Sequence, residues 1–293
     1  MTESHPGRGI LLIAGALFLF AALDTTAKFL TQSFAVGLIV WARYLVHCLL
    51  MLVFLGPRMG WGLVATRRPL RQIVRALMLL GCTAFGIAGL RLMPLAETTA
   101  VFFISPLLVA ALAGPFLGER PHAGVWLALV AGFAGVLLIA RPGGVIVPEG
   151  IAFTLSSAAC YVIYQILTRQ LAAGENTLTM VFYTALVGTL GSSLALPWLS
   201  IDIDATPLQL AQLASLGILG GCGHWLLTRA FRHARASTLA PYFYLQLVWA
   251  TLFGALVFGH WPDALSFVGM AVIVGSGLAL GLRDRYVHTR IDG

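Results

Sequence analysis

The sequence predicts an all-α membrane protein with ten transmembrane helices, arranged as two inverted repeats of five helices around a central cavity. Three observations lead to this prediction. Charged residues make up 10% of the 293-residue chain and hydrophobic residues 59%, with a mean hydropathy of +0.91. The apolar residues fall into long runs, and the later runs repeat features of the earlier ones. Because a soluble domain carries roughly 25% charged residues, a chain this apolar suits lipid as its solvent.

Each apolar run is long enough to cross a bilayer, which takes about 20 residues in a helix. Short loops with Gly and Pro separate the runs, and the runs lack the strict alternation typical of barrel strands. The predicted spans are residues 9–31, 36–56, 72–91, 94–118, 123–141, 149–171, 177–199, 208–229, 236–259 and 264–282.

Lys and Arg residues are distributed unevenly among the loops. With the N-terminus inside, fourteen of the 18 lie on the cytoplasmic side, whereas Lys28, Arg91 and Arg141 lie on the outer side. Positive charges concentrate in cytoplasmic loops, so we expect both termini in the cytoplasm of a prokaryotic cell and the chain in its inner membrane. The longest basic cluster, "RRPLRQIVR" (67–75), is predicted to be a connecting loop. The net charge of +7 therefore reflects topology, and we expect no nucleic-acid partner.

The four cysteines all lie within apolar runs, and no pair of them has the spacing of metal ligands. We interpret them as small packing residues. We therefore expect neither a metal site nor a cofactor.

An internal repeat links the two halves of the chain. Residues 95–140 resemble residues 236–281 at a shift of 141, and "LLGCTAF" (79–85) resembles "LGGCGHW" (219–225) at a shift of 140. Small residues coincide within the longer match: Gly118 with Gly259 and Pro121 with Pro262. Chance similarity of two apolar blocks would not align these positions.

Each copy of the repeat contains five predicted spans. Because five is odd, the second copy enters the membrane from the opposite side, so a pseudo-two-fold axis in the membrane plane relates the copies. We predict repeat units at 1–143 and 144–293, with a substrate site between them near the midplane.

The segment "FLGERPHAGVWLALVAGFAGVLLIARPG" (116–143), which follows the Pro106 helix, resembles the signature of the EamA branch of the drug/metabolite transporter superfamily. Within that branch the layout is similar to YddG-like amino-acid and metabolite exporters. The resemblance implies a basket-shaped helical bundle with a central cavity and secondary transport by alternating access. The second half departs from the pattern, because His260 stands where the first half has Glu119, which leaves a carboxylate in only one of the two loops.

Polar side chains inside apolar spans are costly and are candidates for function. Asp24 in span 1 and Arg43 in span 2 are predicted at similar depth, because a short outer loop joins the two spans into a hairpin. Lys28 is predicted one turn nearer the outer surface than Asp24, and His47 one turn deeper than Arg43. Two interpretations stay open: an ion pair from Asp24 to Lys28 or Arg43 that pins the helices, or a cavity wall that meets a charged solute. Lys28 alone is also compatible with an interfacial position.

Spans 4 and 9 carry matching, partly polar stripes. Glu97 and Ser105 lie on one face of span 4, and Tyr242 and Gln246 belong to the equivalent face of span 9. These residues are predicted to line the cavity. For Glu97 the alternative is a favourable charge at the start of its helix, with Arg91 as partner.

Further candidates come from spans 6 and 8. At a shift of 137, "AALDTTAKFLT" (21–31) resembles "AACYVIYQILT" (158–168). Tyr161 and Gln165 therefore occupy the places of the two charged residues of span 1 and bring neutral polar groups to the opposite side of the pseudo-axis. His224 and Trp225 lie in a Gly-rich stretch of span 8. The histidine is either a packing residue or a proton carrier.

Pro106 and Pro241 are candidate hinges, or else fixed kinks. We find no catalytic motif, so we expect no enzyme. Because the candidate cavity residues carry both signs of charge, we expect a small-molecule substrate that is zwitterionic, such as an amino acid, and its export. Uptake of a metabolite or vitamin, multidrug export and a membrane-embedded enzyme are the alternatives. A coupling proton and the oligomeric state stay open.

Overall fold

The computed structural model describes residues 6–117, 123–140, 147–172, 174–198, 205–233 and 239–291. Its α-helices are α1 (Pro6–Leu30), α2 (Val36–Met59), α3 (Pro69–Leu92), α4 (Leu95–Phe102), α5 (Ser105–Leu117), α6 (Ala123–Ile139), α7 (Pro148–Ala172), α8 (Thr177–Ala195), α9 (Pro207–His233), α10 (Leu245–Phe258) and α11 (Ala264–Ile291). Short 3-10 helices add Gly60–Leu63, Leu196–Trp198 and Ala240–Tyr244. Within these described ranges there is no strand, so the predicted all-α class is confirmed.

In the part of the chain that the structure describes, seven helical segments are long and apolar enough to cross a membrane, and three shorter apolar helices accompany them. Large apolar side chains remain on their outer surfaces; Leu11, Leu127 and Leu256 are 76%, 72% and 80% exposed. Water disfavours extensive apolar surface of this kind, whereas lipid tails solvate it. The chain is therefore an integral membrane protein, and the ten-span count stays a prediction.

Local sequence signals explain several helix ends. Pro69, Pro148 and Pro207 are the first residues of α3, α7 and α9, where a missing N–H costs nothing. The Asn176 side chain caps α8 by accepting, at 2.8 Å, the backbone N–H two residues later. After α10 the chain turns at Gly259, whose φ of +65° favours glycine.

The basic cluster 67–75 is not a loop throughout. Because α3 begins at Pro69, Gln72 and Arg75 lie inside the helix, and both are buried, Arg75 to 1% exposure. The prediction that this whole cluster connects two spans was wrong, since the proline starts the helix before the charges end. The predicted orientation does not depend on Arg75.

The fourth predicted span is broken. A turn at Phe103 and Ile104 separates α4 from α5. The first turn amide is shared between the carbonyls three and four residues back, both at 3.1 Å, and the second bonds to the carbonyl three residues back at 3.2 Å. Pro106, the second residue of α5, explains the break because its ring clashes with the carbonyl four residues earlier in a continuous helix. Within the ninth predicted span, the 3-10 helix Ala240–Tyr244, which contains Pro241, directly precedes α10.

The helices pair across the two halves of the chain: α1 packs along α9, α3 along α7, α2 along α8 and α6 along α11. The α6–α11 pair is especially close, since a Cβ built on Gly135 or on Gly269 would lie 2.7 Å from the carbonyl oxygen of the other glycine. Small residues allow such approaches between membrane helices. As a result of these pairings, five helices surround the centre of the bundle: α2, α3, α7, α8 and α9.

Candidate functional site

A narrow cavity lies at the centre of the bundle. Its volume is about 50 Å³, enough for a few water molecules and well below the roughly 300 Å³ at which pockets for organic ligands begin. Side chains from five helices line it: Arg43, Tyr44, His47, Leu79, Tyr164, Val181, Thr184, Leu216, Gly217, Gly220 and His224. Three of the predicted site residues, Arg43, His47 and His224, therefore meet at one place.

The helix geometry explains this meeting. Arg43 and His47 are one turn apart on α2, so they project from the same face. Gly217 lets α9 approach that face, because a Cβ there would lie 2.9 Å from the backbone nitrogen of His47. His224 follows two turns later on α9, and its ring packs edge-on against Phe20 at 5.0 Å between centroids. Both interpretations of this histidine stay open.

Asp24 lies on α1 and is half-buried where α1 packs against α10. Its Oδ2 accepts a long hydrogen bond, 3.4 Å, from Nε2 of Gln246, so the structure brings together two predicted residues from opposite halves of the chain. Among these described side chains, neither Lys28 nor Arg43 comes within 4.0 Å of the Asp24 carboxylate, the limit for an ion pair. The carboxylate still lies within the electrostatic influence of Arg43.

Lys28 turns away from Asp24. Its Nζ donates to the backbone carbonyls of Leu90 at 2.5 Å and Met93 at 2.7 Å, at the end of α3, and lies 5.4 Å from the ring centre of Phe258. The ammonium group thus caps a helix C-terminus, where a cation is favourable. The predicted ion pair with Asp24 is not formed, and the alternative of an interfacial position for Lys28 stays a prediction.

Glu97 lies in the first turn of α4, as predicted, but its partner is not Arg91. Its Oε1 lies 2.9 Å from Nε2 of His260, which follows α10, and the Glu97 side chain is 2% exposed. Its second oxygen, Oε2, is buried and has no partner among the described residues. Ser105 is also buried, and the helix break before Pro106 separates it from the face of Glu97. The predicted continuous stripe is therefore interrupted.

The other predicted residues are spread through the bundle. Gln165 donates to the hydroxyl of Tyr161 at 2.7 Å, so these two satisfy each other within α7. Trp225 is 57% exposed and stacks under Arg229 at 4.9 Å, which places it on the outside instead of at the cavity. Tyr242 packs into an apolar cluster near the start of α1. Whether any of these residues meets a solute stays a prediction.

One residue that the sequence reasoning missed is Arg75. Its Nη2 donates to Thr184 Oγ1 at 2.9 Å and to the carbonyl of Met180, its Nε donates to Gln72 Oε1 at 3.3 Å, and its guanidinium stacks on the Tyr164 ring at 5.2 Å. All these partners are neutral. Thr184 and Tyr164 also line the central cavity, so a buried positive charge stands directly behind its wall. Pro69, which begins α3, was the signal in the sequence that Arg75 lies inside a helix.

A second cavity, of about 240 Å³, opens at the end of the bundle where α1 and α3 end and α4 begins. Lys28, Arg91 and His260 contribute basic groups to its wall. Among the described residues, no three metal-ligating side chains come together in one place. The loop that holds Glu119 lies outside the described residues.

Comparison with known proteins agrees with this architecture. The model of the EamA-like transporter family matches the chain twice, at residues 7–141 and 148–281. The chain is 30% identical over 287 residues to the pseudopaline exporter CntI of Pseudomonas aeruginosa, covering 93% of this chain and 95% of that protein.

Other relatives carry different names. An S-adenosylmethionine uptake transporter of Rickettsia bellii is 28% identical, with 88% of each chain covered. A riboflavin transporter of Rhizobium johnstonii is 28% identical, covering 94% of this chain and 92% of that one.

A solved structure, described only as the crystal structure of a protein, superposes with a TM-score of 0.66 at 22% identity and covers 96% of this chain and 99% of that one. That likeness concerns the fold alone. The two family matches and the full-length relatives show that the chain belongs to the EamA-like transporter family, within the drug/metabolite transporter superfamily.

Proposed function

We propose that this chain is a secondary transporter that exports a small zwitterionic metabolite, such as an amino acid, across the cytoplasmic membrane by alternating access. One observation carries the proposal: the bundle holds a carboxylate, Asp24, within the electrostatic influence of a guanidinium, Arg43, but the two are not bonded to each other. Unpaired charges of both signs inside a bundle are costly to keep, and a zwitterion would compensate both.

The surroundings of each charge fit opposite ends of such a solute. Arg43, His47 and His224 share the central cavity and favour a carboxylate. Asp24 is held only by the long contact from Gln246, which leaves acceptor capacity for an ammonium group. The residue before it, Leu23, reaches the cavity wall, since a Cβ built on Gly220 would lie 3.3 Å from its Cδ1.

The proposed architecture has ten spans in two inverted repeats, 1–143 and 144–293. The pattern of helix contacts supports it: α1 packs on α9 as α7 packs on α3, and α2 packs on α9 as α8 packs on α3. The α2–α8 and α6–α11 contacts are each their own counterpart under the same exchange. The 50 Å³ cavity is too small for an amino acid, so transport requires helices to move apart.

Direction belongs to the proposal as well, because relatives include a protein named as an exporter and one named as an uptake transporter. Export is the direction we propose, with both termini in the cytoplasm. Uptake of a metabolite or vitamin is the second candidate, favoured by the names of the uptake and riboflavin transporters. Multidrug export is a third. A coupling proton is proposed as an option for His224 or for the Glu97–His260 pair, and no enzymatic step is proposed.

The test is counterflow into proteoliposomes that hold the purified chain. Vesicles are preloaded with single unlabelled solutes from three classes, namely amino acids, organic cations and riboflavin, and uptake of the matching labelled solute is measured. We expect accumulation for at least one amino acid and none in empty vesicles. Accumulation of organic cations or riboflavin without any amino acid would reject the zwitterion proposal.

A further inference from the structure

We propose that the second cavity, at the end of the bundle formed by the last residues of α1 and α3 and the first turn of α4, binds the carboxylate group of a small organic solute. Binding at this cavity goes beyond the transport function proposed above and does not depend on it. The proposal concerns the binding equilibrium of a solute at one end of the bundle.

The cavity is shaped for a small solute. Its volume of about 240 Å³ lies somewhat below the roughly 300–1,000 Å³ of pockets that hold drug-sized ligands. Phe258, Leu95 and Met93 provide apolar wall, and Lys28, Arg91 and His260 provide the polar wall. Such a mixture of apolar surface and a few polar groups suits a solute with a short hydrocarbon part and one charged end.

Lys28 is held in position for an anion. An ammonium group has three N–H donors, and two of them are used by the carbonyls of Leu90 and Met93 at 2.5 and 2.7 Å. The third donor is left for a ligand on the cavity side, where Lys28 forms part of the wall. Because the two carbonyl contacts fix the ammonium, little side-chain freedom is lost when a ligand binds.

The charges around the cavity are unbalanced. Arg91 is exposed in the last turn of α3, and it has no bonded partner within the described part of the chain. Glu97 attracts Lys28, but its Oε1 is bonded to His260 and its side chain is 2% exposed, behind the wall. A carboxylate of a solute would bring the missing negative charge to Lys28 and Arg91 together.

Helix capping alone explains Lys28 but not the cavity. If Lys28 acted only as the cap of α3, Arg91 would have no influence on it and solutes would not protect it. Arg91 is therefore the residue that separates the two explanations, because its exposed side chain has no structural contact to lose.

The sequence offers a direct probe, since Lys28 is the only lysine in the chain. The purified full-length protein in detergent is treated with an amine-selective acetylating reagent, and acetylation of the Lys28 peptide is followed by mass spectrometry. Butyrate and its neutral isostere butyramide are compared at constant ionic strength. We expect saturating butyrate to slow acetylation at least threefold and butyramide to leave the rate unchanged.

Two arginine variants test whether the protecting butyrate binds beside Arg91. Arg91→Gln should raise the butyrate concentration for half-protection about fivefold or more, whereas Arg58→Gln, an exposed arginine in the last turn of α2, should not change it. Equal rates with butyrate and butyramide, or equal protection in wild type and Arg91→Gln, would overturn the proposal.

A second measurement covers the case in which the hydrogen-bonded amine reacts too slowly. Butyrate, but not butyramide, should then raise the midpoint of thermal unfolding in wild type and Arg58→Gln, and raise it less in Arg91→Gln. An identical midpoint with both solutes would also overturn carboxylate binding. Neither readout involves transport, so a failure here leaves the counterflow result intact, and a failed counterflow test leaves this one intact.

Discussion

Four ionisable residues inside the bundle, Asp24, Lys28, Arg75 and Glu97, have different kinds of partner. Lys28 and Arg75 donate to neutral oxygens, Glu97 contacts a histidine, and Asp24 accepts one long bond from an amide. A buried charge with a neutral partner is stabilised less than one with a counter-ion, so these sites are poised to accept another charge. We make one prediction for Asp24, whose hydrogen bond is the longest, and one for Arg75, which is the most buried of the four.

Asp24→Asn should abolish most transport of a zwitterion and leave folding intact. Asparagine has the same size, can still accept from Gln246 and removes the cost of an unpaired charge inside the bundle, so we expect the stability to be unchanged or slightly higher. Loss of the charge should lower counterflow at least tenfold. Glu149→Gln, which neutralises an exposed carboxylate at the start of α7, is the matched control. A large loss of thermal stability in Asp24→Asn would instead assign the residue a structural role.

Arg75→Gln should destabilise the chain. The shorter side chain loses the two hydrogen bonds that Nη2 donates to the carbonyl of Met180 and the hydroxyl of Thr184, and a hydrogen bond to a charged group contributes about 1.5–3 kcal/mol. The Thr184 hydroxyl still donates to the Met180 carbonyl at 3.1 Å, so neither oxygen is left without a partner. The thermal-unfolding midpoint in detergent measures this, with the exposed Arg71→Gln as control. An unchanged midpoint would mean that the cost of burying the charge cancels the hydrogen bonds.

At the scale of helices, proline and glycine decide the geometry. The break between α4 and α5 and the close α6–α11 contact both depend on what these residues lack, an N–H in one case and a side chain in the other. Each feature can be tested by one substitution, and the same substitution at another proline or glycine serves as its control.

Pro106→Ala should let α4 continue into α5. Alanine restores the N–H and removes the ring clash, so amide hydrogen exchange at residues 103–105 should slow and turnover should fall if the break is a hinge. Pro57→Ala, at an exposed position near the end of α2, should change neither. Slower exchange with full turnover would identify the break as a fixed kink.

Gly135→Leu should destabilise the α6–α11 pair. Its Cβ would lie 2.7 Å from the carbonyl oxygen of Gly269, and overpacking of this kind costs about 1–3 kcal/mol. Gly275→Leu on α11 is the matched control, because a Cβ there meets no atom within 4 Å. The comparison is a difference of thermal midpoints in detergent, and similar midpoints for the two variants would contradict the packing described above.

At the scale of the whole molecule, an odd number of spans per repeat has a consequence for topology. A fluorescent protein that folds only in the cytoplasm should be fluorescent when fused to the C-terminus of the full chain and dark when fused after residue 143. Bright fluorescence from both fusions would contradict five spans in the first repeat. The full-length fusion also tests the predicted cytoplasmic C-terminus.

The local sequence predicted much of the helical framework because it depends on short-range properties. Apolar runs with Pro and Gly at their ends define most helix limits to within a few residues. The exceptions also have local causes: Pro69 moves the start of α3 into the basic cluster, and Pro106 splits the fourth span. Family membership followed from motifs and was confirmed by matches over both halves.

The site was predicted less completely. Arg43, His47 and Asp24 were identified because charges in apolar spans stand out, and His224 because it lies in a Gly-rich helix. Arg75 was assigned to a loop by its charge, and His260 was noted only as a departure from the repeat. Their roles depend on neighbours more than 100 residues away, Thr184 for Arg75 and Glu97 for His260, which no local pattern encodes.

The sequence by itself determined that the protein lies in lipid, which segments form helices and that its two halves are similar. It could do so because hydrophobicity and periodicity are properties of consecutive residues. Only the tertiary structure decided which charges meet. Lys28 found helix-end carbonyls instead of Asp24, and Asp24 found Gln246 from the other half. The reason is physical: hydrogen bonds and charge pairs depend on distances of a few ångströms between distant segments, and helix packing sets those distances.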